Sequence, residues 1–563
     1  MSDDYDILLP HRDPGIQLLP GMAGVPAPLI VPHPAISHVI ATTQPAQAIA
    51  LQRAMISGKK QDLADFCILF PSFPVVVADF SFRGRFPRVG DKILLSGASG
   101  RRIRQRMLGF DADGAQDARV VAQLTEAIND PVFNIPMATG KAETLLALPF
   151  LIEAKNFSNF YHFTTETLVY LSLYEKFGLS GEIKIFTKNP EPPGKFVDRA
   201  IRDFYPELFD RITLIQGAIK AKEALVPFNM QHYFGFKRDL NYDVKKTPYT
   251  DAPCVEVVYK NMKAISRGSR DSALDLHRKR VLSSRLASNS PNYVYIRRKT
   301  GKQRSVSGED LLLEMLLGLG FSVVSFEDLS PAEQAHLING VDILVSAHGA
   351  GFTNMMYGKA DAVFVELSHL QNARHRFGDF HMHAGTAGAK HIHFFADHDY
   401  ENVGSVPDIK DTGHLGVRLS EPTIRRLAGL LRSLIHRSDF QTCRQSVEKL
   451  LAAGDFSSIR TIVGRDHPFL YSLAEIPIAA ATAHEASNDF AEAAYFYQIA
   501  LEVSPFRTHI RHKLVQALTM AGDDEGVRRA LAVFRILAPY WFDRYFGKTA
   551  PSAAAESGAF SSS

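Results

Sequence analysis

From residue 291 to 396 the chain changes its apolar period in regular alternation. "NYVYIRR" reads as a strand, "GEDLLLEMLLGL" as a helix, "FSVVSFE" as a strand, and "SPAEQAHLING" as a helix that starts at the cap Ser330. "VDILVSA", "AVFVELS" and "KHIHFFA" are further strands, the last two separated by a helix that runs to about residue 385. Strands alternating with helices predict a doubly wound parallel sheet with helices on both faces. Ligands of such sheets sit at the carboxyl ends of the strands.

One strand end carries more than a connection. In "VDILVSAHGAGFTNMMYG", Val341, Ile343, Leu344 and Val345 form the apolar run of a buried parallel strand. Gly349 and Gly351 let the backbone turn tightly and place no side chain between it and a ligand. Thr353 to Tyr357 then open a helix, whose first amides point back at the turn and attract an anion. The expectation is a phosphate-sized site. The plain alternative is a tight connection with an incidental histidine.

At 563 residues the chain is too long for one core. Residues 1–69, rich in Pro and Ala, read as a lead-in arm without sustained period. Residues 70–290 read as a first α/β lobe. "FPVVVADF" and "DKILLSG" are strands of a small β-rich region, and "TLLALPFLIE", "EIKIFTK", "RITLIQG" and "EALVPF" follow as strands, with a helix from Phe160 to Phe177. Val257 to Ser288 is helix-compatible and leads to a boundary at "SNSPN"; residues 291–437 form the second lobe. Residues 438–546 read as helix only. Ala493, Tyr497, Ala500 and Pro505 stand at the offsets of the tetratricopeptide helix pair, Ala530, Phe534 and Leu537 repeat the first three 37 residues later, and "LLAAGDFSSI" is a weaker earlier copy. A docking surface for a protein partner and a helical cap on the neighbouring lobe are equally open readings. Residues 547–563 read as a disordered tail.

Composition narrows the function classes. The formal charge of +3 comes from 63 basic and 60 acidic residues, which argues against a nucleic-acid partner held by bulk charge, so any anion site must be local. Cys67, Cys254 and Cys443 lie too far apart for a disulfide framework or a Cys-rich zinc site and read as reduced thiols. "MSDDYDILLPHRDPG" lacks the pattern of a secretory signal, and no apolar run is long enough to span a bilayer. The expected location is the cytoplasm, with peripheral contact at the inner membrane as its membrane-associated variant.

The blocks "NFSNFYHFTTETLVYL", "YIRRKTGKQRSVSGEDLL", "LSPAEQAHLINGVDILVSAHGAGFTNMMYG" and "AVFVELSH" resemble glycosyltransferase family 61 in order and spacing, over about residues 150 to 400. That resemblance, to a bacterial member of the family, implies a GT-B fold of two Rossmann-like lobes. It further implies an inverting transfer, a nucleotide-sugar donor in the second lobe, a glycan or polysaccharide acceptor on the first, free or protein-linked, and no essential metal or other cofactor. Residue by residue, Asn159, His162 and Glu166 match the N-x-x-H-x-x-x-E block, and Arg298 and Arg304 match the paired arginines. Glu333, Gln334, His348, Gly349, Ala350, Gly351, Asn354 and Glu366 match the rest. Gly308 stands where the family often has Asn, and Gly358-Lys359-Ala360 where it usually has Pro.

The residues read on their own agree. On a helix His162 and Glu166 share a face, so the carboxylate can orient the imidazole as a catalytic pair. An inverting transfer needs a base for the acceptor hydroxyl and positive charge for the departing diphosphate, which Arg298, Arg304 and the His348 turn can supply. The resemblance further implies that Asn159 and Gln334 are acceptor-side or supporting residues. Glu366, ending its strand, is placed as a ribose-binding acid would be, or is an ordinary strand-end carboxylate. A competing metal reading would use Asp397 and Asp399, or Asp111 and Asp113, with histidines at 381, 383, 391, 393 and 398; both acidic pairs lie in turn-like, solvated sequence, and no metal site is expected. A catalytically silent scaffold of the same fold, working through its helical end, is the alternative function.

Overall fold

The computed structural model describes residues 6–32, 34–61, 66–83, 86–107, 134–234, 269–283, 290–299, 305–402 and 405–547. It is a mixed α/β protein with several sheets and a helical C-terminal region.

The alternation from residue 291 folds as a six-stranded sheet, parallel throughout. Its order across the sheet is Ser322–Val324, Tyr293–Ile296, Ile343–Ala347, Val363–Ser368, Lys390–Phe395 and Ala35–Ile40. Every residue of Ile343–Ala347 and of Val363–Ser368 is buried, as expected where helices cover both faces. The sixth strand corrects the sequence reading of residues 1–69 as an arm. Ala35–Ile40 closes this sheet beside Lys390–Phe395, Ile16–Leu18 pairs with Phe73–Phe82 in the other large sheet, and Pro45–Gln61 is a helix. Strands this short, broken by Pro, show no period of their own; their register comes from the partner strand.

The other large sheet has eight strands. Phe150–Glu153, Ile183–Thr187 and Ile212–Gln216 pair in parallel, and Ile219–Phe228 joins them to the antiparallel Phe73–Phe82, Pro87–Val89 and Lys92–Ile93. The first half of "TLLALPFLIE" is helical rather than extended, as Ala142–Leu146. The helix expected from Phe160 to Phe177 is interrupted: Phe160–Glu166 stops at Thr167 and a 3-10 turn, Leu168–Tyr170, precedes Leu171–Lys176. His277, on the helix Ser272–Ser283, ties the two sheet regions together. Its Nδ1 lies 2.8 Å from the Tyr205 hydroxyl and its Nε2 2.7 Å from that of Tyr357, with all three side chains buried.

The C-terminal helices run from Arg437–Ala453 to Pro539–Phe546, each packed on its neighbour in sequence. A stricter repeat than the 37-residue one read from the sequence underlies them. Asp455, Asp489 and Asp523, at equal intervals of 34 residues, each cap a helix by accepting an amide three residues on. Gly454, Asn488 and Gly522 before them have φ of 68°, 61° and 75°, a left-handed conformation that Gly and Asn adopt most readily. The helical region also packs on the sheet region, where Phe506 and Leu537 cover Ile40, Leu51, Met55, Leu370 and Phe395. The expected tail lies outside the described residues. No described helix is long and apolar enough to cross a membrane.

Candidate active site

The first half of the site is a short helix built to present one face. Asn159 caps Phe160–Glu166, its side-chain oxygen accepting from the His162 amide at 3.3 Å. Phe163 and Thr164 turn into the core, which leaves Tyr161, His162 and Glu166 toward the cavity. His162 Nδ1 lies 3.1 Å from Glu166 Oε2, and His162 Nε2 lies 3.0 Å from Lys155 Nζ. An ammonium offers only donors, so Nε2 is the acceptor and Nδ1–H points to Glu166; the partners fix the tautomer.

The second half is the glycine turn at the end of Ile343–Ala347. This strand and its neighbour Tyr293–Ile296 are where the strand order reverses, because the chain goes from Tyr293–Ile296 outward to Ser322–Val324 and then back across. Both strand ends contribute. Arg298 Nη2, beyond Ile296, donates to the His348 carbonyl at 3.3 Å. Burial pulls the pKa of the Arg298 guanidinium below its usual range. Gly349 is extended, with φ 165°, and the helix expected over Thr353 to Tyr357 is present as a 3-10 helix that begins earlier, Ala350–Tyr357. At Gly351 a Cβ would stand 3.1 Å from the Phe326 ring, so a larger residue there would require that ring to shift.

Beneath the turn His348 Nδ1 meets Glu366 Oε1 at 2.7 Å, and Glu366 Oε2 meets His391 Nε2 at 2.9 Å. Burial alone would raise the Glu366 pKa; the imidazoles of His393 and His348 and the hydrogen bonds from His348 and His391 hold it well below the ordinary carboxylate range. This corrects the reading of Glu366 as a ribose ligand. It is 2% exposed, both its oxygens are engaged by histidines, and it does not line the cavity, so in this structure it holds His348.

The two halves face one cavity of about 380 Å³. Asn159, Tyr161, His162 and Glu166 line one side, and His348, Gly349 and Ala350 the other. Arg102, Lys155 and Arg376 supply three basic groups against the two acids Glu166 and Asp379. Arg102 is itself held by Glu153, at 2.8 Å. The lining thus carries one more basic than acidic side chain although the whole chain is nearly neutral, and Lys155 and Arg376 offer local positive charge to an anionic ligand.

Residues 160–365 match the family model for Glycosyltransferase 61. Over that segment the chain belongs to glycosyltransferase family 61. No curated protein matches it. The family makes this a sugar-transferring domain that works with a sugar donor and an acceptor.

Several family-matched residues of the glycosyltransferase stand outside the cavity wall. Asn354, expected at the donor, is 1% exposed and donates to Gln334 Oε1 at 2.9 Å, while Gln334 Nε2 donates to the carbonyls of Phe326 and Leu329. Together they latch the helix Pro331–Gly340 onto the 3-10 helix after the turn, so their part is support. Glu333 completes a capping box with Ser330. Arg304, Asp111 and Asp113 lie outside the described residues. Asp397 accepts from the Thr43 amide and both neighbouring threonine hydroxyls, and Asp399 from Ser307 and Arg418, so this pair fastens strands to one another instead of facing the cavity. Lys155, Arg376, Arg102 and Tyr161 were missed in the sequence. Lys155 and Tyr161 sit within the matched block's surroundings, but nothing local in the sequence marks Arg102 or Arg376.

Proposed function

We propose that the glycosyltransferase moves a sugar from a nucleotide-sugar donor to a hydroxyl of a glycan or polysaccharide acceptor with inversion, its two sheet regions acting as the lobes of a GT-B enzyme. One observation carries this reading. A single cavity lined by Lys155 and Arg376 joins a His–Glu pair to a glycine turn at the strand-order reversal of a parallel sheet.

The turn backbone and Arg298 side take the diphosphate, and Lys155 and Arg376 neutralise the charge that develops as it leaves. His162 is the base for the acceptor hydroxyl. Lys155 occupies its Nε2 lone pair, so donor binding has a second consequence: drawing Lys155 onto the phosphates releases that nitrogen for the incoming hydroxyl. His348 is a second acid–base candidate, because Glu366 holds its Nδ1 and leaves Nε2 for the cavity it lines. Lys155 and Arg376 do the work of a divalent ion, so the chemistry runs without added metal.

We read the 34-residue repeat as tetratricopeptide-like, since 34 residues is that repeat's period, and as a cap that also presents a partner- or acceptor-docking surface. We assign the glycosyltransferase's location to the cytoplasm. The test is calorimetry with a panel of nucleoside diphosphates and their sugars, followed by donor hydrolysis. Binding of one nucleotide with slow hydrolysis of its sugar supports the enzyme; binding without any hydrolysis or transfer points to the silent scaffold.

A further inference from the structure

Behind the glycine turn, outside the cavity wall, three imidazoles converge. His391 and His393 stand on one face of the strand Lys390–Phe395, and His381 opens the helix His381–Ala387. None is more than 3% exposed. Each presents a ring nitrogen to the other two, with the three atoms within 4.8 Å of one another, and His381 Nε2 and His393 Nε2 only 2.9 Å apart.

Glu366 decides where the lone pairs go. It lies 2.9 Å from His391 Nε2 and 3.4 Å from His393 Nδ1. A neutral imidazole that donates from one nitrogen carries its lone pair on the other. Protons turned toward Glu366 therefore leave lone pairs on His393 Nε2, facing His381, and on His391 Nδ1, which is buried and has no hydrogen-bond partner among the described residues. An N–H···N bond between His381 and His393 would satisfy those two rings alone and leave His391 Nδ1 bare. A carboxylate behind an imidazole is also how metal-binding histidines are oriented and made more basic.

We propose that His381, His391 and His393 bind one divalent transition-metal ion of the zinc class, with Glu366 as the outer carboxylate, as a structural ion beneath His348. Imidazole is a good ligand for this class, and its ions accept four-coordinate sites with one position left to water. Nitrogens about 2.0–2.1 Å from one ion stand roughly 3.3–3.4 Å apart, so small ring rotations convert the present spacing into a coordinating one. The ion would touch neither donor nor acceptor, because none of the three histidines lines the cavity. It is thus separate from the metal-free chemistry proposed for that cavity.

The test uses untagged full-length protein grown in zinc-supplemented medium. Elemental analysis should find about one zinc per chain, and X-ray absorption should show imidazole nitrogen in its first shell. The double variant His381→Gln, His393→Gln should lose at least about nine-tenths of that zinc. Wild-type protein with almost no zinc, and no rise in melting temperature on adding Zn²⁺ or Co²⁺, overturns the proposal. So does a folded double variant that keeps its zinc. Should the double variant not fold, the wild-type absorption spectrum decides: imidazole ligation supports the site, and a shell of sulfur or of oxygen alone overturns it.

Discussion

The site contains two histidine–glutamate pairs that differ in how they are made. His162 and Glu166 are one helical turn apart, 3.1 Å between Nδ1 and Oε2, with side chains 19% and 15% exposed. His348 and Glu366 come from adjacent parallel strands, 2.7 Å apart, with side chains 6% and 3% exposed. The first pair is local, half-open and able to exchange partners, as its contact with Lys155 shows. The second is sealed under the turn, and its glutamate serves three histidines at once. An open pair suits proton transfer; a sealed one suits holding a geometry.

The sharpest way to break that division is kinetic. His162→Ala should lower kcat by about 10²–10⁴-fold while the donor's Kd stays within a few fold, as loss of a general base does. His348→Gln should weaken donor binding more than it lowers kcat. If the two results came out exchanged, His348 would be the base and the open pair a binding element.

Stability should separate the pairs next. Glu366→Ala leaves buried imidazoles without their carboxylate and should cost about 3–5 kcal/mol, read as a denaturant midpoint. Glu166→Ala, at a part-exposed pair, should cost only about 0–1 kcal/mol. Equal losses would mean that the open pair is structural as well.

At the rim between the pairs, Gly349→Val tests whether the turn backbone meets the diphosphate. The residue is extended, with φ 165°, a conformation open to valine, so the fold should survive. Nucleoside diphosphate affinity should fall about 10–100-fold, or roughly 1.4–2.8 kcal/mol by calorimetry. Unchanged affinity would remove the turn from the donor site.

The tie between the two sheet regions has its own pH signature. Burial lowers the His277 pKa to about 3, against the ordinary 6.5. Between those values the unfolded chain binds the extra proton, so the stability contribution is complete above about pH 6.5 and declines as pH falls toward 3, by about 1.4 kcal/mol per unit. His369, also lowered to about 3 by burial, acts with the same sign. His277→Gln should flatten the slope of unfolding free energy against pH by about one proton across that window. A slope that stayed the same would place the acid sensitivity elsewhere. The smallest effect is expected from divalent ions. Transfer assayed in EDTA should change by less than about twofold on adding an excess of Mg²⁺ or Mn²⁺, because the proposed mechanism assigns the leaving group's charge to Lys155 and Arg376. A buried, slowly exchanging ion would not respond in such an assay, so a large stimulation would argue for a metal within the cavity itself.

What the sequence determined by itself is whatever has a short period or a short span. The strand–helix alternation after residue 291, the capping of Pro331–Gly340 by Ser330, and the His162–Glu166 pair are set by neighbours within one helical turn or one strand. They were legible for that reason. The 34-residue rhythm of Gly or Asn followed by Asp was equally present in the letters, but its meaning lies in left-handed dihedrals and caps, and core residues that drift by a few positions obscured it. The tertiary structure alone decided the rest. Ala35–Ile40 enters the second sheet only because Lys390–Phe395 offers it an unpaired edge. Glu366 became a support for His348 because parallel register sets Ser346 beside Glu366 and Glu366 beside His393, which turns a strand-end carboxylate inward among imidazoles. Arg102 and Arg376 reach the cavity from elements with no sequence link to either pair. Contacts of this kind depend on which strand edges meet and in which register, and a residue's near neighbours in the chain carry no record of that.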